Sequence, residues 1–316
     1  MGEDKIRFIN PFTDFGFKKI FGEEYNKDLL IDFLNAILSL KSPIVDVTYG
    51  SQEKLPLVIE DRKSIVDIYC ESQNGEKFIV EMQKTKQLFF RDRSLLYAAY
   101  PIVQQAKKGE WNYKISPVYV IAVLDFEYKD EAESDKYIHD VRLYDVVDNE
   151  IFSDKLRLLY LEMPKFKKKL EELVTNEDKW LYFLKNLPNM DEIPAELSGK
   201  IFEKAFEQAE IANYTHAEYN AYIASLDYYW CNYADMDTAR VEGWEKGIKE
   251  GREKGIKEGR EEGIKEGIKE GKKEGEITFV YKMVKKGRMS LEEAAEETNL
   301  NTDELLVKFK QYNLTL

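Results

Sequence analysis

Cysteine and histidine are nearly absent, with two of each (Cys70, Cys231, His139 and His216) scattered along 316 residues. A structural zinc site draws on about four such ligands in paired spacings, so that class is excluded. No motif surrounds either histidine or either cysteine as a Ser-His-Asp or Cys-His enzyme would need. Long apolar runs are missing too: nothing approaches the ~18 consecutive apolar residues of a membrane span. The first eight residues, MGEDKIRF, lack the apolar stretch of a secretory signal. Reduced cysteines, no signal and no anchor together lead to the expectation of a cytoplasmic protein. Positive charge is also short, 47 Lys and Arg against 60 Asp and Glu, a net charge of -13. Such a chain cannot coat nucleic acid through a global positive field. The chemistry left to it is that of carboxylates.

What is present is enough apolar material for a core, 43% hydrophobic with 13% aromatic, in a length that suits one large domain or two ordinary ones. Charge is uneven. Between Glu81 and Ile115 the cations Lys84, Lys86, Arg91, Arg93, Lys107, Lys108 and Lys114 face only Glu81, Asp92 and Glu110. Residues 26–40 carry Leu29, Leu30, Phe33, Leu34, Ile37 and Leu38 at helical spacing, with Asn26 as the expected N-cap and Ser42-Pro43 as the stop. Strand-like runs follow at 44–49, 64–72 and 77–83. A second helix is expected over 89–108, with a kink or break near Tyr100 imposed by Pro101. Residues 118–126 are apolar and β-rich throughout, the pattern of a strand buried on both faces. The order helix, three strands, helix, strand predicts an α/β core with a mixed sheet. Further β-like runs lie at 137–146 and 156–163, then helical patterns at 179–187, 196–212 and 217–233. The last of these is dense in aromatics (Tyr219, Tyr222, Tyr228, Tyr229, Trp230, Tyr233), which read as packing residues.

From Gly243 to Gly275 glycine recurs at every fourth position, separated mostly by Ile or Arg, Lys and Glu. A period of four drifts about 40° per repeat on an α-helix, so the glycines wind around the rod. Each costs about 1 kcal/mol against alanine, partly offset by pairs such as Glu250 with Lys254 and Glu253 with Lys257. The expectation is a marginal, conditionally helical spacer. Two capped short helices should close the chain, starting at Ser290 and at Asn301 or Thr302; their acidic character argues for packing or protein contact rather than DNA reading. The domains read as 1–165, an α/β domain; 166–240, helical; 241–276, a charged linker; and 277–316, a helical cap.

The chemically informative passage is the hairpin of residues 64–83. A two-residue Asn-Gly turn would pair Gln73 with Glu76 and put Asp67 and Glu81 on opposite faces. A three-residue loop, Gln73-Asn74-Gly75 with glycine left-handed, pairs Ser72 with Glu76 instead. Only this second register gathers Val66, Ile68, Cys70, Phe78, Val80 and Met82 on one buried face. Asp67, Glu81 and Gln83 then share the other, with Asp67 and Glu81 directly opposite and their Cβ atoms about 5 Å apart. Two carboxylates that close repel unless a cation lies between them, and a hard divalent ion suits the position. The plain alternative is an exposed hairpin whose acids face water. Against it stand the apolar neighbours Val80 and Met82 and the helix carrying Arg91 and Arg93, which should cover part of that face.

Asp67 followed by Glu81-Met82-Gln83 resembles the Asp…(Asp/Glu)-x-Lys signature of the PD-(D/E)XK nuclease superfamily. The segments NPFTDFGFKKIF (10–21), VEMQ (80–83) and PVYVIAVLDF (117–126), with the glycine-every-fourth tail, are similar to the Rpn family of recombination-promoting nucleases and transposases within it. The resemblance implies a PD-(D/E)XK-like core with helices flanking a mixed sheet, followed by a mainly helical region and the charged repeat tail. It implies a metal-dependent DNA endonuclease promoting recombination or mobile-element transposition. Mg²⁺ (or Mn²⁺) would be held by Asp67, Glu81 and the carbonyl of Met82, with Asp67, Glu81 and Gln83 catalytic. Double-stranded DNA would be the partner, met by Lys84, Lys86, Arg91 and Arg93, and a homodimer the working form; no membrane and no small-molecule cofactor is expected. Asp14 is a weaker candidate from the N-terminal motif, in which Phe12, Phe15, Phe17 and Phe21 read as folding residues. This chain departs from the superfamily at Gln83, where the wider pattern has lysine; Lys86, Arg91 or Arg93 would have to supply the charge. Two rival readings follow: a catalytically inactive nuclease-fold module that binds DNA or protein, and a scaffold acting through the repeat and the helical cap.

Overall fold

The computed structural model describes residues 6–50, 66–127 and 135–316. The expected start of the second strand at Ser64 and Ile65 and the first five residues lie outside them. The chain divides into two compact units, Met1–Met236 and Asp237–Leu316.

The first unit is built on a six-stranded mixed sheet: β1 Val47–Tyr49, β2 Ile68–Ser72, β3 Lys77–Gln83, β4 Val118–Leu124, β5 Ile138–Asp145 and β6 Glu150–Glu162. The strand order is β1-β2-β3-β4-β6-β5. Strand β4 runs parallel to both β3 and β6, and the remaining pairs are antiparallel. Every residue of β4 is buried, as its unbroken apolar run predicts. One face of the sheet, with Phe78, Val80, Met82, Tyr119, Ile121 and Leu159, packs against α1 (Asp14–Phe21), α2 (Lys27–Leu38), α4 (Asn176–Asn186) and α5 (Lys200–Ala209). Trp180 of α4 is fully buried there among Phe21, Phe33, Phe183 and Phe202. The other face, with Ile79, Val120, Ala122 and Tyr160, is covered by Phe90, Tyr97 and Ala98 of α3 (Phe90–Gln104).

Helix α1 has no counterpart among the expected elements, because its dense phenylalanines obscure the helical period. Thr13 caps it, accepting the Gly16 N–H at 3.0 Å. Gly16 is required here, since a Cβ would lie 2.2 Å from the Asn10 carbonyl oxygen. Phe12, Phe17 and Phe21 are buried, in line with a folding role. Asn26 does occupy the N-cap of α2 but makes no capping bond: its Nδ2 donates to the Lys19 carbonyl at 2.9 Å. Pro101 does not break α3, which continues to Gln104, and the Gln105 side-chain Nε2 donates to the Pro101 carbonyl at 3.1 Å.

Helix α6 (His216–Lys285) contributes its first turns to the first unit and the remainder to the second. In the second unit the glycine repeat is helical throughout, and a Cβ at any of its glycines would meet nothing within 4 Å. The pairs seen along it are Lys246 with Glu250 and Lys254 with Glu258, both 3.8 Å, rather than the Glu-before-Lys pairs expected. Gly287, at φ +63°, ends the helix: its N–H meets the Val284 carbonyl and the Arg288 N–H that of Met283, a Schellman pattern. Capping boxes at Ser290 and Asn301 then open α7 (Leu291–Glu297) and α8 (Thr302–Gln311), as their sequence signals predict. Ile277, Val280, Tyr281, Ala294, Leu305 and Phe309 form the unit's own small core. Among the described residues no helix is long and apolar enough to cross a membrane.

Candidate active site

The hairpin adopts the three-residue loop. The Ser72 N–H donates to the Glu76 carbonyl at 2.9 Å, the Gly75 N–H to the Ser72 carbonyl at 2.9 Å, and Gly75 has φ +79°. The ladder runs Glu71↔Lys77, Cys70↔Phe78, Tyr69↔Ile79 and Ile68↔Val80. Ile68, Cys70, Phe78, Val80 and Met82 enter the first core cluster, as the alternation requires. Val66 does not: it lies in the cluster on the other face with Ile79. The regular ladder stops at Ile68, so the alternation no longer governs the residues before it.

Asp67 precedes the last ladder pair, Ile68↔Val80; its Oδ2 accepts the Met82 N–H at 2.7 Å, and its charge acts on the neighbouring Glu81. Backbone groups of one strand residue point to the same neighbour, so the Met82 carbonyl also opens toward β2. Glu81 lies beneath α3, only 4% exposed. Its Oε2 accepts from Gln83 Nε2 at 2.9 Å, while Oε1 is buried with no hydrogen-bond partner. The Arg93 guanidinium donates to Gln83 Oε1, completing a chain from Arg93 through Gln83 to Glu81. Arg93 itself packs on the rings of Phe90 and Tyr97. Glutamine at the superfamily's lysine position is therefore not chargeless in context, because an arginine stands directly behind it.

Burial first, and then the Asp67 charge, push the Glu81 carboxyl up to about 8, against the pull of Arg93. Burial likewise raises Asp67, opposed by the Met82 N–H and by Lys18 and Lys84. Both shifts have the direction expected of two acids crowded in a place poor in water.

Asp67, Met82, Gln83, Lys84 and Arg93 line a cleft of about 600 Å³ together with Asp14, Thr85, Gln87, Ala224, Ser225, Tyr228 and Asn232. Asp14 thus joins the predicted residues, paired with Lys18 at 2.9 Å. Lys86 and Arg91 are exposed and do not line the cleft, and Glu81 sits behind its wall. Lys84 is half-buried, 5.5 Å from the Tyr228 ring centroid and 5.7 Å from that of Tyr229; burial lowers its pKa, opposed by Asp14 and Asp67.

The far wall comes from α6, which sequence reasoning left out of the site. Four contacts fix it. The Asn10 N–H donates to the Tyr222 hydroxyl at 3.0 Å, and the Phe15 N–H to Ser225 Oγ at 3.1 Å. Buried Lys19 meets Glu218 at 2.7 Å, a bond that with the Thr215 N–H pulls the Glu218 carboxyl down to about 2. Tyr229 donates to Asp125 at 3.0 Å. Of the aromatic stretch expected to pack, Tyr222 is buried, but Tyr228, Trp230 and Tyr233 are more than half exposed. The four-residue spacing of Ala224, Tyr228 and Asn232 was the available signal that one face of this helix differs from the rest.

Among the described residues no cluster of three or more His, Cys, Asp or Glu gathers to hold a metal ion. The donors on offer are two carboxylates and a main-chain carbonyl. They fit a hard divalent cation on one structural ground: Glu81 Oε1 is a buried acceptor lacking a donor, beside a second acid.

A mixed six-stranded sheet flanked by helices is the architecture of a PD-(D/E)XK-like core. The chain belongs to the PD-(D/E)XK nuclease family transposases, whose family model matches residues 11–239. Nucleases of this class generally use divalent metal ions. No curated protein and no solved structure matches the chain.

Proposed function

We propose that this protein is a metal-dependent DNA endonuclease, hydrolysing phosphodiester bonds in the service of recombination or mobile-element transposition. The observation that supports the reading is that Asp67 Oδ2 accepts the Met82 N–H next to Glu81, whose Oε1 is buried without a hydrogen-bond partner. Asp67, Glu81 and the Met82 carbonyl would hold Mg²⁺ or Mn²⁺. Such an ion, when bound, supplies a more acidic water and charge stabilisation at the scissile phosphate. Gln83 orients Glu81 and, through Arg93, places positive charge behind the acid pair. Lys84 and Arg93 face the cleft and would meet the phosphate backbone of double-stranded DNA; Lys86 and Arg91 would act from the exposed surface beside it. Asp14 holds Lys18 at the cleft's edge. A reducing cytoplasm suits the free thiols of Cys70 and Cys231, and a homodimer would let two sites serve two strands.

The test is plasmid nicking with Mg²⁺ or Mn²⁺. Wild type is expected to nick, and Asp67→Ala and Glu81→Ala to lose nicking. A second reading, a nuclease fold that binds without cutting, draws support from Gln83 in the lysine position and from Asp67 Oδ2 already engaged by the Met82 N–H. Plasmid left equally intact by wild type and both variants across metals would decide for it.

A further inference from the structure

The recess that contains Asp67 has one wall from the sheet and one from α6, and the second wall has its own chemistry. Ala224, Ser225, Tyr228 and Asn232 lie along one side of α6 at helical spacing and share the cleft with Asp67, Met82, Gln83 and Lys84. The Ser225 and Tyr222 contacts to the N-terminal segment hold this stretch in place. Within it the Tyr228 ring is 63% exposed, too open to be a core residue. The Lys84 ammonium sits 5.5 Å from its centroid, so cation and ring are presented together. Tyr229, Trp230 and Tyr233 form a separate group of rings around the helix from Tyr228, with centroids 5.1 Å apart for Tyr229 and Trp230 and 6.2 Å for Trp230 and Tyr233.

An exposed ring beside a cation is the combination by which proteins hold single-stranded nucleic acid: rings stack on base faces while cations follow the phosphates, each stacked base contributing substantially to affinity. Paired bases in a duplex offer no such face, since both sides are covered by neighbours. A strand that brings a phosphate to Asp67 shares the recess with the Tyr228 ring, which a continuous duplex would leave unused.

Building on the nuclease reading of Asp67 and Glu81, we propose that the site is shaped for DNA unpaired at the scissile phosphate, as at a fork, flap or bubble. One base stacks on Tyr228 and the adjoining phosphate lies toward Lys84.

The experiment is fluorescence anisotropy of the full-length protein in EDTA with two probes, a forked oligonucleotide duplex with unpaired arms and a blunt duplex of the same sequence. Wild type is expected to bind the fork more tightly. Tyr228→Ala should weaken fork binding about tenfold more than blunt binding, and Tyr228→Trp should keep the preference. Equal binding of both probes by wild type, or an equal loss on both in Tyr228→Ala, overturns the proposal. Since no metal is present, the nuclease reading is scored separately by plasmid nicking. Asp67-dependent nicking without fork preference sinks this inference alone, whereas Tyr228-dependent fork preference without cleavage of any substrate sinks the nuclease reading alone.

Discussion

Without a divalent ion, Glu81 is an acid in the wrong place: nearly inaccessible to water, beside Asp67, and raised from 4.5 to about 8. The unfolded chain releases this proton near 4.5, while the folded chain keeps it until about 8. Between those values the folded state binds more protons, so stability falls as pH rises, by about 1.4 kcal/mol per unit. Below the window both states are protonated and the slope vanishes. Above it the folded state carries a buried charge and the full deficit, with a ceiling of roughly 5 kcal/mol, persists. Glu81→Gln preserves shape, still offers an acceptor to Gln83, and has nothing to ionise. Urea denaturation in EDTA should therefore find the variant more stable than wild type by about 3 kcal/mol near neutral pH, with the gap widening toward pH 8. A substitution that ends activity while strengthening the fold is the mark of a strained functional group. Parallel pH profiles for the two proteins, or a variant less stable throughout, would refute the reasoning.

Arg93→Ala removes the cation behind Gln83 and should lower nicking about 10- to 100-fold, with partial recovery in Arg93→Lys. It should also shift the pH at which metal binds upward, because Arg93 opposes the rise of the Glu81 pKa; an unchanged metal titration would show that Arg93 does not act through Glu81. Gly75→Val places a branched side chain at φ +79° and should cost about 1 to 2 kcal/mol in urea denaturation, with Gly75→Asn costing less. Equal stability of all three proteins would argue against the left-handed loop. Alanine at Gly255 and Gly259 meets nothing within 4 Å and should stabilise the helix by about 1 kcal/mol each, seen as a later thermal loss of circular dichroism. Reduced helicity would contradict the straight reading of the repeat.

The parts of the site legible in the sequence are those governed by local rules. The alternation of Ile68, Cys70, Phe78, Val80 and Met82 fixes the hairpin register, because a one-residue slip would turn every side chain to the other face. Val66 escapes that logic since pairing ends before it. The apolar run of β4 announces burial on both faces, and the capping boxes of α7 and α8 are readable from Ser290 with Glu293 and Asn301 with Glu304. The cleft's far wall is different in kind. Tyr228 and Lys84 meet across most of a domain, and the bonds that bring them together, Asn10 to Tyr222 and Phe15 to Ser225, join residues more than two hundred positions apart. No periodicity encodes such a contact. The glycine repeat runs helical along its whole length, while propensity keeps it marginal as an isolated helix.

The most direct measurement of the central claim is the anomalous scattering of Mn²⁺ soaked into crystals of the protein. A peak is expected between the carboxylates of Asp67 and Glu81, within bonding distance of the Met82 carbonyl oxygen, that disappears in Glu81→Gln. Full-strength anomalous density elsewhere, with Asp67 still bonded to Met82 and Glu81 to Gln83, would contradict it.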